Sequence, residues 1–483
     1  MNPSKFSNLV ARSGVVFGTS GARGLVADMT DELCYAYASA FLQTVASGAT
    51  QLVLGHDLRP SSPRMAAACA AAAQAQGAQV IYAGALPTPA LAFYAAQLGV
   101  PALVITGSHI PFDRNGIKFY RADGEISKAD EQAMLDATLT LPDTITPANL
   151  PAPDARVAQA YVRRYTDFFG VSALAGLRVA VYEHSSVGRD IIGQILRALG
   201  AQVLSLGRTD VFVPIDTEAV RPEDIAQAKW WAAEHGFDAI VSTDGDADRP
   251  LLGDERGHWL RGDVVGMLCA QFLQAQAVVT PVSSNTALEK SGAFAQVIRT
   301  RIGSPYVIAG MEAALASFAQ GSTQPGAVVV GYEANGGFLL ASPVQRHGRN
   351  LQALPTRDAV LPILALLSLA RERGCKLSDL LADLPQRFTA SDRLQAFATD
   401  KSHSLIHNLL TDPQRMAQML APGAGAVSQV DQTDGLRVSF ANHDIVHLRP
   451  SGNAPELRCY TEAASVGAAK ALCDACLARI KLL

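Results

Sequence analysis

The densest chemistry in this 483-residue chain lies in STDGDADRPLL, residues 242–252. Asp244, Asp246 and Asp248 alternate behind the apolar run DAIV, at i, i+2 and i+4. Three carboxylates that close repel one another unless a cation holds them. A ligand set made only of oxygens suits Mg²⁺ or another hard divalent ion. An EF-hand reading fails even though Glu255 falls at loop position 12. Position 6 is Arg249 where Gly is needed, and a strand leads in instead of a helix. The bland alternative is a solvated acidic turn neutralised by Arg249.

A second segment, VITGSHIPFDRNGIKFY (104–120), ends a strand-like run at Thr106-Gly107-Ser108-His109. Gly107 permits a sharp turn that leaves Ser108 exposed. The hydrolase elbow reads GxSxG, and Ile110 at its fifth position disfavours an acyl-transfer serine. An exposed serine can instead carry a phosphoryl group. Lys118, just after Asn115-Gly116, can act as acid or base if partly desolvated. Taken singly, His109 also fits a structural histidine and Lys118 a surface lysine.

Three further segments are weaker alone. VVFGTSGARGLV (15–26) places Gly18, Gly21 and Gly24 among Thr19, Ser20 and Arg23, a loop able to wrap a phosphate through backbone N–H groups. It matches neither GxGxxG nor a Walker A, so a nucleotide is not indicated. HLRPSGNAPELRCY (447–460) offers Arg449, Ser451, Gly452, Asn453 and Arg458, groups that bind a dianionic phosphate. A Pro-Gly turn explains Pro450 and Gly452 but not two flanking arginines. In VVVGYEANGGFLLAS (328–342), Glu333 and Asn335 could hold sugar hydroxyls.

The elements that must carry these loops are short apolar runs alternating with helical patterns. Strands are expected at 51–55, 79–84, 102–107, 178–183, 238–243, 277–282 and 327–332. Helices are expected at 61–76, 88–98, 189–199, 222–236, 286–294, 304–318 and 358–373. The alternation reads as α/β with largely parallel sheets. An internal echo joins GHDLRPSSPRM (55–65), VYEHSSVGRD (181–190) and TPVSSNTALE (280–289), each an apolar run, a Ser-Ser pair and a helix-like segment. The paired hydroxyls suit helix N-caps. The Pro-rich stretch 141–156 closes a first domain, RGHWLRGD (256–263) marks a second junction, and the pattern changes again near 374–390. The last hundred residues alternate polar and apolar, as in an antiparallel sheet with one wet face.

Composition bounds the answer. Hydrophobic residues make up 49% and charged residues 17%, a globular balance. The net charge of -4 and the lack of a basic stripe argue against nucleic acid as the main partner. The seven cysteines are scattered and odd in number, which points to a reducing cytoplasm. Cys473 and Cys476 form a CxxC without a second pair, so they read as buried side chains. MNPSKFSNLVARSG lacks a signal-peptide core. Residues 65–112 carry no Asp, Glu, Lys or Arg, but prolines and glutamines break the stretch into a buried Ala-rich helix and a strand. No membrane association is expected.

In order, FGTSGARG, TGSHIP with NGIK, DGDADR, GYEANGG and RPSGNAPELR span residues 15 to 460. The set resembles the α-D-phosphohexomutase superfamily, and looks most like its bacterial phosphomannomutase/phosphoglucomutase branch. The resemblance implies three related α/β domains with mixed, largely parallel sheets plus a smaller C-terminal α+β domain, around a central cleft. The boundaries expected are 1–150, 151–258, 259–375 and 376–483, one functional loop in each. It implies that Ser108 carries a phosphate and that Mg²⁺ sits between it and Asp244, Asp246 and Asp248. Hexose 6-phosphate and hexose 1-phosphate would interconvert through a hexose 1,6-bisphosphate, which also serves as activator. Arg249 would neutralise charge, Lys118 would move the proton of the attacking hydroxyl, Arg23 would steady the phosphoserine region, and His109 joins the catalytic set. Glu333 and Asn335 would hold the sugar. Arg449, Ser451, Gly452, Asn453 and Arg458 would grip the non-reacting phosphate.

Four departures stand out. Gly107 and Ile110 replace the Ala and Asn of TASHNP. Gly337 stands where many members have His. SGNAP replaces SGTEP. Ala247 replaces the usual Gly of the metal loop, a change expected to be small. Mannose is favoured because GYEANGG lacks the GEQSGH pattern of glucosamine members; glucose and glucosamine remain alternatives. A non-catalytic phosphosugar-binding protein on the same scaffold is the reading of another class. The partner implied is a small phosphosugar, and the chain is a monomer or homodimer.

Overall fold

The structure, a computed structural model, describes residues 4–18, 21–321, 326–451 and 455–482. The apolar runs become strands buried on both faces. Ala102–Ile105, Ala239–Thr243, Ala277–Pro281 and Val329–Tyr332 are buried at every position. Their Val, Ile and Ala content suits a sheet covered on both sides.

Three sheets share one topology. In the first, Gln51–His56 lies parallel between Gln79–Ala85 and Ala102–Ile105, and Arg114–Arg121 returns antiparallel. In the second, Arg178–Tyr182 lies between Gln202–Leu206 and Ala239–Thr243, with Pro250–Gly253 antiparallel. In the third, Ala277–Pro281 lies between Gln296–Thr300 and Val329–Tyr332, with Phe338–Leu340 antiparallel. Each therefore has a parallel three-stranded core closed by antiparallel additions. The loop between the third and fourth strand of each module, 106–113, 244–249 and 333–337, projects from the carboxyl end of a parallel strand, where open α/β sheets bind ligands. The fourth sheet, Phe388–Leu394, Leu457–Ala463, Ile445–Pro450, Leu436–Phe440 and Val427–Asp431 in spatial order, is antiparallel throughout.

The sequence echo marks a real repeat, because each copy follows the first strand of a module. Its hydroxyls are not helix caps, however. The helices Ser62–Ala75, Arg189–Ala198 and Ala287–Lys290 have no side-chain cap. Ser62 Oγ instead donates to Asp57 Oδ1 at 2.6 Å, Ser186 Oγ meets Thr243 Oγ1 at 2.6 Å, and Thr280 Oγ1 donates to Ser284 Oγ at 2.7 Å. Ser186 thus ties its turn to the neighbouring strand, while Ser62 and Ser284 close their turns back on the strand end they follow. The helix expected at 286–294 stops at Lys290, with Gly292 at φ 63°, and Gln296–Thr300 is the edge strand of the third sheet.

One continuous apolar core runs through the first three modules, from Val53 and Phe93 through Val179 and Leu196 to Val278 and Leu364. The fourth domain has its own core around Leu436, Phe440, Leu457 and Ile480, in which Cys473 and Cys476 are buried. It meets the third module through polar contacts such as Thr286 N–H to Glu462 Oε2 at 2.9 Å and Thr389–Asp263 at 3.3 Å. A polar interface favours relative motion, whereas a shared apolar core suppresses it. No helix among the described residues is long and apolar enough to cross a membrane.

Candidate active site

The serine loop is built on a buried ion pair. Asp57, directly after the strand Gln51–His56, accepts from Ser62 Oγ, Thr106 Oγ1, the Gly107 N–H and Arg59 Nε. Arg59 then donates to the carbonyls of Ser108, Ile110, Pro111 and Arg114 at 2.6–2.9 Å. A Cβ at Gly107 would stand 2.5 Å from Arg59 Cζ, so the guanidinium fills the volume of a side chain at 107. Ser108 itself has φ 54°, a left-handed conformation that costs a serine on the order of 1 kcal/mol. The Thr106 hydroxyl, accepting from the Ser108 N–H at 2.8 Å, helps to hold it there.

Ser108 is not left exposed by the turn, as expected, but is buried at 1% exposure because the metal loop packs on it: its Oγ donates to Asp244 Oδ2 at 2.6 Å. Asp244, Asp246 and Asp248 are fully buried, and one oxygen of each lies within 4.8 Å of the others. Burial and the charges of Asp248 and Asp246 push the Asp244 carboxyl well above its usual range. Asp246 Oδ1 and Asp248 Oδ1 have no hydrogen-bond partner. Lys118 Nζ stands as counter-charge, 2.6 Å from Asp246 Oδ2 and 2.6 Å from Asp248 Oδ2. Thr88 Oγ1, at the start of the helix Thr88–Leu98, donates to Asp246 Oδ2 at 2.6 Å. Orphaned carboxylate oxygens beside an ammonium stand-in, with no nitrogen or sulfur donor among the three, fit a hard divalent cation. Ala247 takes φ 57°, so its replacement of glycine is not the small change expected: an alanine is strained there.

Guanidinium groups surround this acidic centre. Arg249 lies 3.6 Å from Asp248 Oδ1 and donates to His109 Nδ1 at 2.9 Å. That contact makes Nδ1 an acceptor, and burial with Arg249 and Arg23 lowers the imidazole pKa well below its usual value. His109 Nδ1 is also 3.3 Å from Ser108 Oγ. Arg23 lies on Gly21–Leu25, which pairs with Val16–Gly18, so the glycine-rich segment is a β-hairpin. Its tip, Thr19 and Ser20, lies outside the described residues. Burial, Arg249 and Arg357 lower the Arg23 pKa to about 10. Like charges crowded in this way suit a bound anion.

Glu333 follows the strand Val329–Tyr332, and its Oε2 accepts from Arg357 at 3.1 Å. The loop closes on itself: Glu333 N–H donates to the Gly337 carbonyl, and Gly337 N–H donates to Asn335 Oδ1 at 2.9 Å. Asn335 thus spends its oxygen on the loop. In the fourth domain, Arg393, Arg458 and Arg449 sit directly opposite one another on three adjacent strands. Like charges in that register destabilise a sheet. Arg449 Nε is held by Asp434 at 2.9 Å, while Arg458 and Arg393 line a cavity of about 150 Å³ with Asp216 and Glu218 of the second module. Ser451 is buried at the end of this strand; Gly452 and Asn453 lie outside the described residues.

Ser108, Lys118, Arg249, His109 and the three aspartates therefore form one connected cluster, joined to Glu333 through Arg357. Four contributors escaped sequence reasoning: Arg59, Thr88, Arg357 and Arg393. Arg357 did leave a trace, as a lone cation in the apolar stretch ALPTRDAVLPILALL.

The four domains have counterparts, in the same order, among known proteins. Profiles of the phosphoglucomutase/phosphomannomutase alpha/beta/alpha domains I, II and III match residues 14–142, 159–257 and 261–388, and that of the C-terminal domain matches 405–478. A phosphomannomutase of Salmonella muenchen is 46% identical over 480 residues, 98% of this chain and 97% of that protein. A phosphomannomutase of Sinorhizobium fredii is 45% identical over 95% of this chain and 97% of that protein. A phosphoglucomutase/phosphomannomutase family protein from Burkholderia thailandensis shares the fold at a TM-score of 0.71, with 21% identity and 96% of each chain covered. With four domain profiles in order and relatives matched along nearly its whole length, the chain belongs to the phosphoglucomutase/phosphomannomutase family of α-D-phosphohexomutases.

Proposed function

We propose that this enzyme is a phosphohexomutase acting on mannose phosphates, with Ser108 as phosphoryl carrier. The carrying observation is the 2.6 Å contact between Ser108 Oγ and Asp244 inside a buried three-carboxylate cluster ringed by arginines. Mere binding of a sugar phosphate needs no hydroxyl against such a cluster. The mannose preference draws support from the two phosphomannomutases of 45–46% identity. The scattered, unpaired cysteines suit a reducing cytoplasm.

Asp244, Asp246 and Asp248 would hold Mg²⁺. Bound there, the cation supplies charge neutralisation for a transferring phosphoryl group. The residues do the rest by positioning and electrostatics, which dominate a loose phosphoryl-transfer transition state. The bond from phosphorus to Ser108 Oγ breaks as one forms to the sugar hydroxyl. The hydroxyl loses a proton and Oγ gains one. Lys118, giving to Oγ and taking from the hydroxyl, is left unchanged. Arg249 and Arg23 face the phosphoryl oxygens. Glu333 holds sugar hydroxyls, and Arg449, Ser451 and Arg458 hold the distal phosphate. The bisphosphate then turns end for end, and its other phosphate returns to Ser108.

The test is a panel of hexose 1-phosphates with Mg²⁺ and a bisphosphate activator, combined with intact-mass analysis. One phosphate mapped to Ser108 and the highest kcat/KM with mannose 1-phosphate are expected. Full activity in Ser108→Ala, or tight binding with no turnover, would overturn the proposal.

A further inference from the structure

Three consecutive residues of one strand, Leu354–Asp358, reach three different parts of the molecule. Thr356 Oγ1 donates to Glu125 Oε1 of the first module at 2.8 Å. Arg357 enters the active site. Asp358 accepts from the hydroxyls of Tyr161, at 2.6 Å, and Tyr165, both on the helix Ala155–Phe169. The strand is thus pinned on both sides of Arg357, and a pinned strand fixes where a long side chain can point.

Arg357 is buried at 2% exposure. Its Nε donates to Asp248 Oδ2 at 3.0 Å, and another nitrogen of the fork lies 3.0 Å from the same oxygen. The third donates to Glu333 Oε2 at 3.1 Å. One planar group therefore spans the metal loop and the sugar loop with three donors in a fixed fork, which lysine cannot reproduce. A Cβ at Gly337 would stand 2.6 Å from Arg357 Cδ and 2.9 Å from its Cγ. The side chain missing at 337 leaves the channel through which Arg357 passes, and its φ is not one that demands glycine.

We infer that Arg357 is a positioning residue that couples the metal loop to the sugar loop, and that Gly337 exists to admit it. The inference rests on the mutase reading for the consequence in turnover. Arg357 occupies one oxygen of Asp248 and one of Glu333, which leaves the remaining oxygen of each to face cation and sugar. It also competes with a cation for Asp248.

The two consequences have opposite signs, and that separates positioning from general structural support. Arg357→Ala is expected to bind Mn²⁺, used as the probe in calorimetry without sugar, several-fold more tightly. The same variant should lose about 100-fold in kcat/KM, as expected when a reacting group is misplaced by roughly 1 Å. Arg357→Lys should recover only part of the loss. Gly337→Ala keeps the charge but displaces the arginine, and should lose turnover too. The double variant should be no worse than Arg357→Ala, because both changes remove one arrangement. Additive losses, unchanged kinetics in Arg357→Ala, or Mn²⁺ affinity and turnover falling together with thermal stability would overturn the inference. Wild type that binds Mn²⁺ with the predicted dependence on Arg357 but turns over no hexose phosphate would instead overturn the mutase reading and leave the coupling standing.

Discussion

Ser108 Oγ spends its hydrogen bond on Asp244, 136 residues away, the same carboxylate that burial and two neighbouring aspartates drive toward its neutral form. The metal loop therefore sets the orientation of the serine. Asp244→Asn keeps an acceptor for the Ser108 hydroxyl and removes one buried charge. Without a cation, the variant should be more stable than wild type by about 1–2 kcal/mol, because a carboxyl that is costly to ionise leaves a buried acidic cluster. With Mg²⁺ the order should reverse, since a ligand that binds the folded state at 100 times its Kd adds about 2.7 kcal/mol. Turnover should fall about 100-fold or more, as for loss of one transition-state contact. Thermal melts in EDTA and in Mg²⁺, run beside the kinetic assay, check all three.

His447, on the strand that carries Arg449, offers a pH prediction. It is buried at 1% exposure, its Nε2 meets the Asp434 carbonyl at 2.5 Å, and it stacks on Tyr460. Burial lowers its pKa from 6.5 to about 4. The unfolded chain thus binds the proton first, so stability is complete above pH 6.5 and is lost as pH falls toward 4. At about 1.4 kcal/mol per pH unit, the loss from this residue is about 3 kcal/mol. His184, also lowered to about 4, adds to it in the same direction. His447→Phe keeps the stack on Tyr460. Urea unfolding at several pH values should show a shallower dependence for the variant, by close to one proton.

The arginine row of the fourth domain predicts graded effects. Arg449 and Arg458 face each other across paired strands, and Arg393 continues the row on the outer strand. Arg458→Ala should raise KM for hexose phosphate by 10-fold or more, as loss of a charged hydrogen bond of about 1.5–3 kcal/mol requires. Arg393, further along the cavity and 43% exposed, should matter less, by roughly two- to five-fold for an exposed charge. Added salt should shrink the Arg393 effect more than the Arg458 effect. Initial-rate measurements across salt concentrations distinguish the two.

What could be read from the sequence follows from how locally each feature is encoded. Ser108 and the aspartates declare themselves inside one short window, because residue type and spacing there already specify chemistry. The parallel strands do so because both faces are buried, which forces runs of Val, Ile and Leu. Arg59 was invisible, and Arg357 showed only as a lone cation in an apolar stretch, because each acts on a loop 49 and 109 residues distant and no local pattern records that meeting. Gly107 reads as a turn residue and Gly337 only as a departure. Their meaning, room for an arginine, is a property of packing. The Ser-Ser pairs misled for the converse reason: a local capping rule was overruled by strands that needed the hydroxyls more.

Asp434 links the catalytic and mechanical sides of the fourth domain, and it yields the last prediction. One oxygen, Oδ2, accepts both from Arg449 Nε and from the Ile302 N–H of the third module, each at 2.9 Å. It thus latches the domain and partly neutralises Arg449, the arginine proposed to hold the distal phosphate. Two variants separate those effects. Asp434→Asn retains an oxygen for Ile302 but frees the charge of Arg449, so KM should fall about two- to five-fold, the scale of a part-exposed ion pair. Asp434→Ala removes the latch as well. The domain should then open more readily, with a larger radius of gyration in solution scattering and a higher KM. If both variants shift KM alike and leave the scattering unchanged, the latch does no mechanical work, and only the charge of Arg449 is at stake.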